Sequence, residues 1–281
     1  MTAPPLAQQT PYGRMYVRKI DGVPEVPSIT TIIGRQATDL TGWAGYMAAQ
    51  AVISDPKLPD SIGNRAKLGH IARTAADAAA QYRDQAAARG DRVHDYAEQV
   101  ALRALGKPHT MPQSRGVLAE NNEEDFADRF DEWWDHYNVR PLAAEVTVWN
   151  HEVGYAGTID LVAEIAGKVC LIDFKTKGTD RQGRIKLPDD KVAMQLVAGL
   201  KAEESIVDPV TGQWEPWPYG NADILMAVAL GEREVLPLQV APQTWRENWY
   251  MFWALRKVWQ YERVVSDHPR TLLPISPPPQ R

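Results

Sequence analysis

Apolar and polar residues follow a helical period in the first half of the chain. Residues 64–105 are rich in alanine, with charged residues interspersed and Gly90 interrupting the pattern. This predicts two helices, over residues 64–88 and 91–105. Residues 115–137 predict a further amphipathic helix, because aromatic side chains recur there at three- and four-residue steps: Phe126, Phe130, Trp133, Trp134 and Tyr137.

After Pro141 the pattern becomes that of β-strands. Residues 142–149, 154–165 and 168–174 are rich in β-branched side chains and are separated by glycines, which predicts three consecutive antiparallel strands. A helix over 189–203, strands over 222–230 and 234–240 and a last helix over 242–265 are predicted to follow. The fold class expected is therefore α/β (α+β): a central mixed β-sheet flanked by helices, with an extended helical N-terminal half.

Proline marks both ends of the chain. Residues 1–13 hold three prolines and few large apolar groups, so we expect a mobile tail there, and residues 269–281 form a second, proline-rich tail. Ser28 is well placed to cap a short helix through Gly34, and Thr41 to cap another through about Val52. The chain between the tails is expected to be one domain, with a helical part over 14–140 and an α/β core over 141–268.

Composition and charge exclude several classes of protein. The chain has 281 residues, of which 44% are hydrophobic and 24% charged, as in folded globular proteins. Its net charge of −5 argues against binding polyanions with the whole surface, although a local basic groove stays possible. A single cysteine, Cys170, excludes an intramolecular disulfide and an iron–sulfur cluster held by four cysteines of one chain. Because no signal peptide or membrane-spanning stretch is visible, we expect a soluble, cytoplasmic protein.

Two strands carry the residues that point to chemistry. Asp173 and Lys175 project from the same face of one predicted strand, since side chains alternate along a strand. Asp160 lies on the preceding strand, which a turn would place alongside. Two neighbouring carboxylates repel each other unless a hard cation lies between them, and Mg²⁺ or Mn²⁺ suits such oxygen ligands. A buried ion-pair network without catalysis is the alternative interpretation.

These strands resemble motifs of the PD-(D/E)xK (restriction-endonuclease-like) nucleases, specifically of the RecB-like exonuclease branch. Residues 157–160, Gly-Thr-Ile-Asp, are similar to the G-x-x-D strand of that family, and residues 173–176, Asp-Phe-Lys-Thr, to its D-x-K-T strand. Gln195 is similar to the glutamine on the following helix, although Gly199 stands where many members carry a tyrosine.

Further matches lie upstream. Residues 90–94 look like the family's G-x-x-x-H helix, and residues 26–33 are similar to a PSVTTIL opening seen in some members. From the residues alone, a helix-surface histidine that pairs with Glu98 is the better interpretation of His94. With one cysteine the chain resembles the cluster-free type common among phage and recombination nucleases.

The resemblance implies a PD-(D/E)xK nuclease core that hydrolyses DNA with Mg²⁺ or Mn²⁺ and holds no iron–sulfur cluster. The metal ligands it implies are His94, Asp160, Asp173 and the backbone carbonyl of Phe174. Lys175 would orient the attacking water and offset charge on the phosphoryl oxygens. Glu145 and Gln195 complete the candidate catalytic set, with an ordinary structural role as the alternative for each.

A basic stretch follows the D-x-K-T strand and is expected to contact DNA, with a solvated loop as the alternative. The candidates are Lys177, Arg181, Arg184 and Lys186. The tryptophan-rich stripe of the last helix is typical of a core face. The function predicted is a metal-dependent DNA exonuclease in recombination, repair or phage DNA processing, acting on free DNA ends. Two alternatives stay open: a catalytically inert nuclease-fold module that binds DNA or a protein, and an endonuclease or nickase on the same fold.

Overall fold

The computed structural model describes residues 4–276, in which ten β-strands and eight α-helices form two sheets and their helical layers. The strands are β1 (Ala7–Thr10), β2 (Gly13–Tyr16), β3 (Val26–Pro27), β4 (Arg140–Asn150), β5 (Tyr155–Ile165), β6 (Lys168–Thr176), β7 (Glu204–Asp208), β8 (Gln213–Pro216), β9 (Ile224–Leu230) and β10 (Val235–Gln239). The helices are α1 (Ile29–Ile33), α2 (Thr41–Ile53), α3 (Arg65–Ala75), α4 (Ala78–Ala104), α5 (Met111–Glu120), α6 (Glu124–His136), α7 (Lys191–Leu200) and α8 (Trp245–Ser266). None of these helices combines the length and apolarity needed to cross a membrane.

The larger sheet has seven strands in the order β10-β9-β6-β5-β4-β7-β8. Neighbouring strands are antiparallel except β6 and β9, which run parallel because α7 and the β7–β8 hairpin intervene between them in the chain. Helices cover both faces of this sheet. The predicted α+β class, with a central mixed sheet flanked by helices, is confirmed.

The β5–β6 hairpin fixes the register of the central strands. Its two turn residues, Ala166 and Gly167, have φ of 50° and 74°, and Ile165 pairs with Lys168 across the turn. A two-residue turn with both φ values positive has the twist that antiparallel strands need. The strand pairing on which the candidate site depends is therefore set by this local turn.

Two apolar layers enclose the sheet. One layer joins α4 and α6 to the strand residues Leu161, Ile172 and Phe174. The other packs α7 against residues such as Val162 and Leu171, which alternate with the first set along the same strands. In α8 the side chains of Phe252 and Trp259 are buried, as the sequence predicts, whereas Trp253 is 45% exposed.

Several predicted elements are confirmed with small shifts. Ser28 caps α1, where its Oγ accepts a hydrogen bond from the Thr31 N–H at 2.9 Å. The strands predicted at 142–149, 154–165 and 168–174 correspond to β4, β5 and β6. The cap predicted at Thr41 is wrong by one residue, because Leu40 is the N-cap of α2 and has no capping side-chain hydrogen bond.

The helical half differs from the prediction in where its helices break. Gly90 lies within α4, and the break falls at residues 76–77. Helical propensity costs of about 1 kcal/mol at one glycine are outweighed by the alanine-rich flanks and by packing of the buried later turns. The helix predicted over 115–137 is split into α5 and α6, since Asn122 takes a φ of 56°, a conformation that asparagine tolerates.

The predicted tail at residues 1–13 is wrong for the residues that the structure describes. Ala7–Thr10 pairs with β2, because Leu6 is fully buried among Tyr16, Val17 and Trp149 and holds this segment against β4 and β5. Residues 1–3 lie outside the described residues. The strands β7 and β8, which lie at one end of the larger sheet, were not predicted, because they are short and largely polar.

At the other end, residues 269–276 follow α8 without helix or strand and are exposed, as the proline content predicts. Residues 277–281 of the predicted tail lie outside the described residues.

Candidate active site

Three carboxylates lie side by side across β4, β5 and β6. The β5–β6 ladder ends one residue from Asp160 and Asp173, and its register sets these two residues opposite each other. The β4–β5 register sets Glu145 opposite Asp160 in the same way. All three line one pocket of about 150 Å³. The structure thus brings together three of the residues that the sequence singles out.

Lys175 and Gln195 hold the Asp173 carboxylate from two sides. The Lys175 Nζ atom lies 2.5 Å from Asp173 Oδ2, and Gln195 Nε2 donates a hydrogen bond of 2.5 Å to Asp173 Oδ1. Lys175 Nζ also donates to Gln195 Oε1 at 3.4 Å. Asp173 itself is only 3% exposed. The charge of Asp173 is therefore compensated by Lys175 on the same strand, and its carboxylate is oriented by Gln195 on α7.

His94 enters the pocket from α4. Its Nδ1 atom lies 3.7 Å from Asp160 Oδ2 and makes no hydrogen bond to the described residues. The imidazole ring packs edge-on against the Phe174 ring, and the Phe174 N–H donates to Asp160 Oδ2 at 2.8 Å. No ion pair joins His94 to Glu98 within residues 4–276, so the structure places His94 in the pocket and not in the surface pair considered as its alternative.

Glu145 adopts a strained backbone conformation. Its φ is 50°, in the left-handed region that a non-glycine residue rarely adopts, and a β-bulge lies a few residues earlier in β4. Strain of this kind costs on the order of 1–3 kcal/mol and persists where the surrounding structure enforces it. The strained residue carries a carboxylate that lies in the same pocket as two others, which is a reason to regard Glu145 as a site residue.

Burial dominates the electrostatics of these carboxylates. It raises the pKa of Glu145 to about 9, with the Asp160 and Glu98 charges adding to the effect. It raises the pKa of Asp173 to about 6 although Lys175 acts in the opposite direction, and it also raises the pKa of Asp160. Each carboxylate is therefore harder to ionise in the pocket than in water, which is the condition that a bound cation would reverse.

Two basic side chains of the pocket, His94 and Lys175, have pKa values shifted in opposite directions. Burial, followed by the Lys175 charge, lowers the pKa of His94 to about 4, so the imidazole is neutral near neutral pH. Burial acts to lower the pKa of Lys175, but the Asp173 and Asp160 charges outweigh it and the pKa is raised. A neutral imidazole is a metal ligand, and a charged ammonium neutralises part of the carboxylate charge.

The donor chemistry of the pocket fits a hard divalent cation. Carboxylate oxygens are the ligands that Mg²⁺ and Mn²⁺ prefer. The Nδ1 atom of His94, which has no hydrogen-bond partner among residues 4–276, is a further donor. Within residues 4–276, no three His, Cys, Asp or Glu side chains already stand in the arrangement of a metal site. Lys175 contacts Asp173 Oδ2, and Asp160 Oδ2 is held by the Phe174 N–H, so a cation would have to displace the ammonium from Asp173.

The predicted DNA-contact residues lie outside this pocket, on the loop after β6. Lys177 is half-buried, and burial together with the Lys175 charge lowers its pKa. Arg181 and Lys186 are exposed, whereas Arg184 is paired with Asp180 at 3.2 Å. A bridge between residues 179 and 185 closes the loop into a small hairpin. The loop begins after Thr176, the last residue of β6 and the neighbour of the catalytic candidate Lys175, but only its exposed bases are free to meet a polyanion.

Two glycines allow helices to approach the site closely. A Cβ atom at Gly157 would lie 2.4 Å from Ile29 Cδ1, and one at Gly199 would lie 2.4 Å from Ile159 Cδ1. Such contacts are too short for a side chain to fit without rearrangement. Gly199 therefore allows α7 to pack directly against β5.

The sequence analysis missed several residues that complete the pocket. Arg14 and Tyr16 from β2 and Thr30 from α1 form a further wall. The Tyr16 hydroxyl lies 2.9 Å from Thr158 Oγ1. No sequence signal marked Arg14, because it stands next to the segment that was predicted to be a tail. The PSVTTIL-like opening did mark the neighbourhood of Thr30.

Comparison of the sequence with protein-family models and with curated proteins found no match. Among solved structures, a protein named "Putative exonuclease" from Eubacterium rectale is 12% identical, with a TM-score of 0.36, and the alignment covers 64% of this chain and 76% of that one. A protein named SSO0001 is 16% identical, with a TM-score of 0.27 over 64% of this chain and 86% of that one. Likeness at these TM-scores does not define a shared fold, so the functional conclusions rest on the site itself.

Proposed function

We propose that this protein is a metal-dependent nuclease that hydrolyses phosphodiester bonds of DNA, and that it acts as an exonuclease. The observation that supports it best is the row of three carboxylates, Glu145, Asp160 and Asp173, with the Lys175 ammonium beside it. Asp173 is buried, and the other two are partly buried. Like charges are costly to collect in a buried pocket, and a structural ion pair needs only one carboxylate for each cation. The excess of carboxylates is accounted for by a cation-binding site.

The residues of the pocket have distinct roles in this proposal. Asp160 and Asp173, with His94 and the Phe174 carbonyl, would hold Mg²⁺ or Mn²⁺, which supplies Lewis-acid activation of water and of the phosphate. Lys175 places a positive charge beside the scissile phosphate, where negative charge accumulates during hydrolysis. Gln195 fixes the orientation of the Asp173 carboxylate through its 2.5 Å hydrogen bond. Glu145, which faces Asp160 from β4, would act as a proton donor or acceptor for the attacking water.

Digestion of linear duplex DNA tests the proposal. We expect wild-type protein to degrade the DNA with Mg²⁺ or Mn²⁺ and not in excess EDTA. Asp173→Asn and Lys175→Ala should each lower the rate by about 100-fold or more, since general acid–base and electrostatic contributions are of that size. Lys168→Ala is the matched control, because Lys168 lies at the other end of the same strand and its side chain is 59% exposed.

Circular dichroism should show the same spectrum for all four proteins. Digestion by wild type in EDTA, or undiminished rates for both site variants, would contradict the mechanism. Binding of DNA without digestion would instead favour the inert module as the function of this pocket.

A further inference from the structure

Arg14 lies on β2 and forms part of a pocket wall that is separate from the carboxylate strands. Its backbone is held by hydrogen bonds from the start of α1. The Arg14 carbonyl accepts hydrogen bonds from the Ser28 N–H at 2.9 Å and from the Thr31 hydroxyl at 3.0 Å. Beside it, Gly13 has a φ of 100° and packs against the Thr31 side chain. The β2 strand and the start of α1 therefore act as one unit that fixes where the Arg14 side chain leaves the backbone.

The Arg14 guanidinium has no ion pair and no side-chain hydrogen bond within residues 4–276, although it lines a pocket rich in carboxylates. By contrast, Arg18, four residues on, is paired with Glu204 at 2.8 Å. Arg14, Tyr16, Glu145 and Asp160 line the same pocket. Arg14 is thus an exposed, uncommitted cation at the mouth of the candidate site.

Hydroxyl groups lie on the same wall. Thr30 is exposed, and its Oγ1 atom lies 3.0 Å from the buried Ser28 Oγ. Ser28 Oγ in turn accepts from the Thr31 N–H, so the hydroxyl cluster is held in place by the α1 cap. A planar guanidinium with hydroxyl donors beside it is the usual means of binding a phosphate oxygen pair.

We propose that Arg14 and Thr30 form a phosphate-binding subsite that holds the phosphate group next to the scissile one on the DNA strand. This rests on the proposed nuclease function. Lys175 and the carboxylate row occupy the strand side of the pocket, and Arg14 and Thr30 occupy the wall built by β2 and α1. Successive phosphates of one strand are separated by a sugar, so the phosphate next to the scissile one meets a different wall of the pocket. The role of Arg14 is to position the strand.

The test measures binding apart from cleavage. Fluorescence anisotropy would follow a short DNA duplex in Ca²⁺, with and without a 5′-phosphate, bound to wild type, Arg14→Ala, Arg14→Lys and Thr30→Val. We expect Arg14→Ala to weaken binding about 10-fold and to reduce the dependence of log K on log salt by about one unit, since one phosphate contact is lost. Arg14→Lys should restore the salt dependence but only part of the affinity, because the bidentate fork is missing.

Arg270→Ala, in the exposed segment after α8, is the matched control and should match wild type. If the 5′-phosphate contributes to affinity only when Arg14 is present, the phosphate bound is a terminal one. If it contributes nothing while Arg14→Ala still weakens binding, the phosphate bound is an internal one. Equal affinity and equal salt dependence of wild type and Arg14→Ala would overturn the subsite.

The subsite and the nuclease function fail separately in this design. If wild type digests DNA and Arg14→Ala binds DNA as tightly as wild type, the subsite alone is overturned. Arg14-dependent binding without digestion by wild type overturns the nuclease function and leaves the subsite standing. Wild type that neither binds nor digests DNA overturns both.

Discussion

At the scale of single residues, the site combines charges that the sequence makes visible with a conformation that it does not. Asp160, Asp173 and Lys175 were predicted together because side chains alternate along strands and a hairpin joins the two strands. The strain at Glu145 was not predictable, since its φ of 50° depends on how β4 bends around the pocket. Arg14 was missed because only the buried Leu6 and the small sheet, both tertiary features, hold its segment in place.

The raised carboxylate pKa values predict how stability depends on pH without metal. An acid with a raised pKa in the folded state binds protons more tightly there than in the unfolded chain, so stability falls as pH rises toward the folded-state value. For Glu145 this range runs from 4.5 to about 9. In EDTA, we expect the melting temperature of wild type to fall between about pH 6 and pH 9, where ordinary carboxylates are already ionised.

Glu145→Gln isolates this effect. Because glutamine cannot ionise, the variant should melt higher than wild type near the top of that range, and its melting temperature should change less with pH. Thermal melts followed by circular dichroism across the range give the comparison. Parallel curves for wild type and Glu145→Gln would show that Glu145 ionises as it does in water.

At the scale of elements, α7 lies where it does because one residue lacks a side chain. The helix carries Gln195 to Asp173, and it packs on β5 through the contact between Gly199 and Ile159. The Tyr155 hydroxyl also donates a hydrogen bond of 2.8 Å to the Ala198 carbonyl, which ties the same two elements together. The position of Gln195 at the site thus depends on close packing about one helical turn further along α7.

A double-mutant cycle at this contact is the next prediction. Gly199→Ala should destabilise the protein by about 1–3 kcal/mol, because the added methyl group overlaps Ile159 Cδ1 in a close-packed layer. Ile159→Val removes that atom, at a cost of about 0.5–1.5 kcal/mol. In the Ile159→Val background, Gly199→Ala should cost much less, since the next nearest Ile159 atom is 3.6 Å away. Urea unfolding of the four proteins measures the coupling, and strictly additive costs would show that the contact does not limit α7.

The same scale shows which elements a sequence can specify. Strands β4, β5 and β6 and helices α7 and α8 are close to the predicted spans because long apolar runs and turn residues mark them. The break between α5 and α6 was not predicted because it is made by one asparagine in a left-handed conformation within an otherwise regular pattern. The short strands β7 and β8 have no apolar run of their own, so only the neighbouring edge of the sheet specifies them.

At the scale of the whole molecule, the helical half covers one face of the sheet and approaches the pocket through α4. His94 contributes to the pocket from this half, while the small β1–β3 sheet and α1 bound it on another side. The carboxylate row is therefore reached through a pocket with walls, and not from an open sheet surface. A strand end enters such a pocket more readily than the middle of a duplex.

Linear and covalently closed circular DNA of the same sequence test this consequence. With Mg²⁺ or Mn²⁺ present, we expect the linear form to be degraded and the closed circle to persist, as judged by gel electrophoresis over a time course. A nicked circle in the same series shows whether a strand break suffices as an entry point. Degradation of closed circles at the rate of linear DNA would make the protein an endonuclease.

The most direct test of the central claim, that the pocket is built for a divalent cation, compares thermal melts of wild type and Asp160→Asn. In EDTA at about pH 8, Asp173 is ionised in both wild type and Asp160→Asn. The variant should melt higher than wild type, because it lacks one of the mutually repelling carboxylates. Mg²⁺ or Mn²⁺ should raise the melting temperature of wild type by binding the native state, and should raise that of Asp160→Asn much less, because a ligand is lost. A variant that melts several degrees below wild type in EDTA, with no difference between the two proteins in their response to the metals, would contradict the claim and make Asp160 part of a structural ion-pair network.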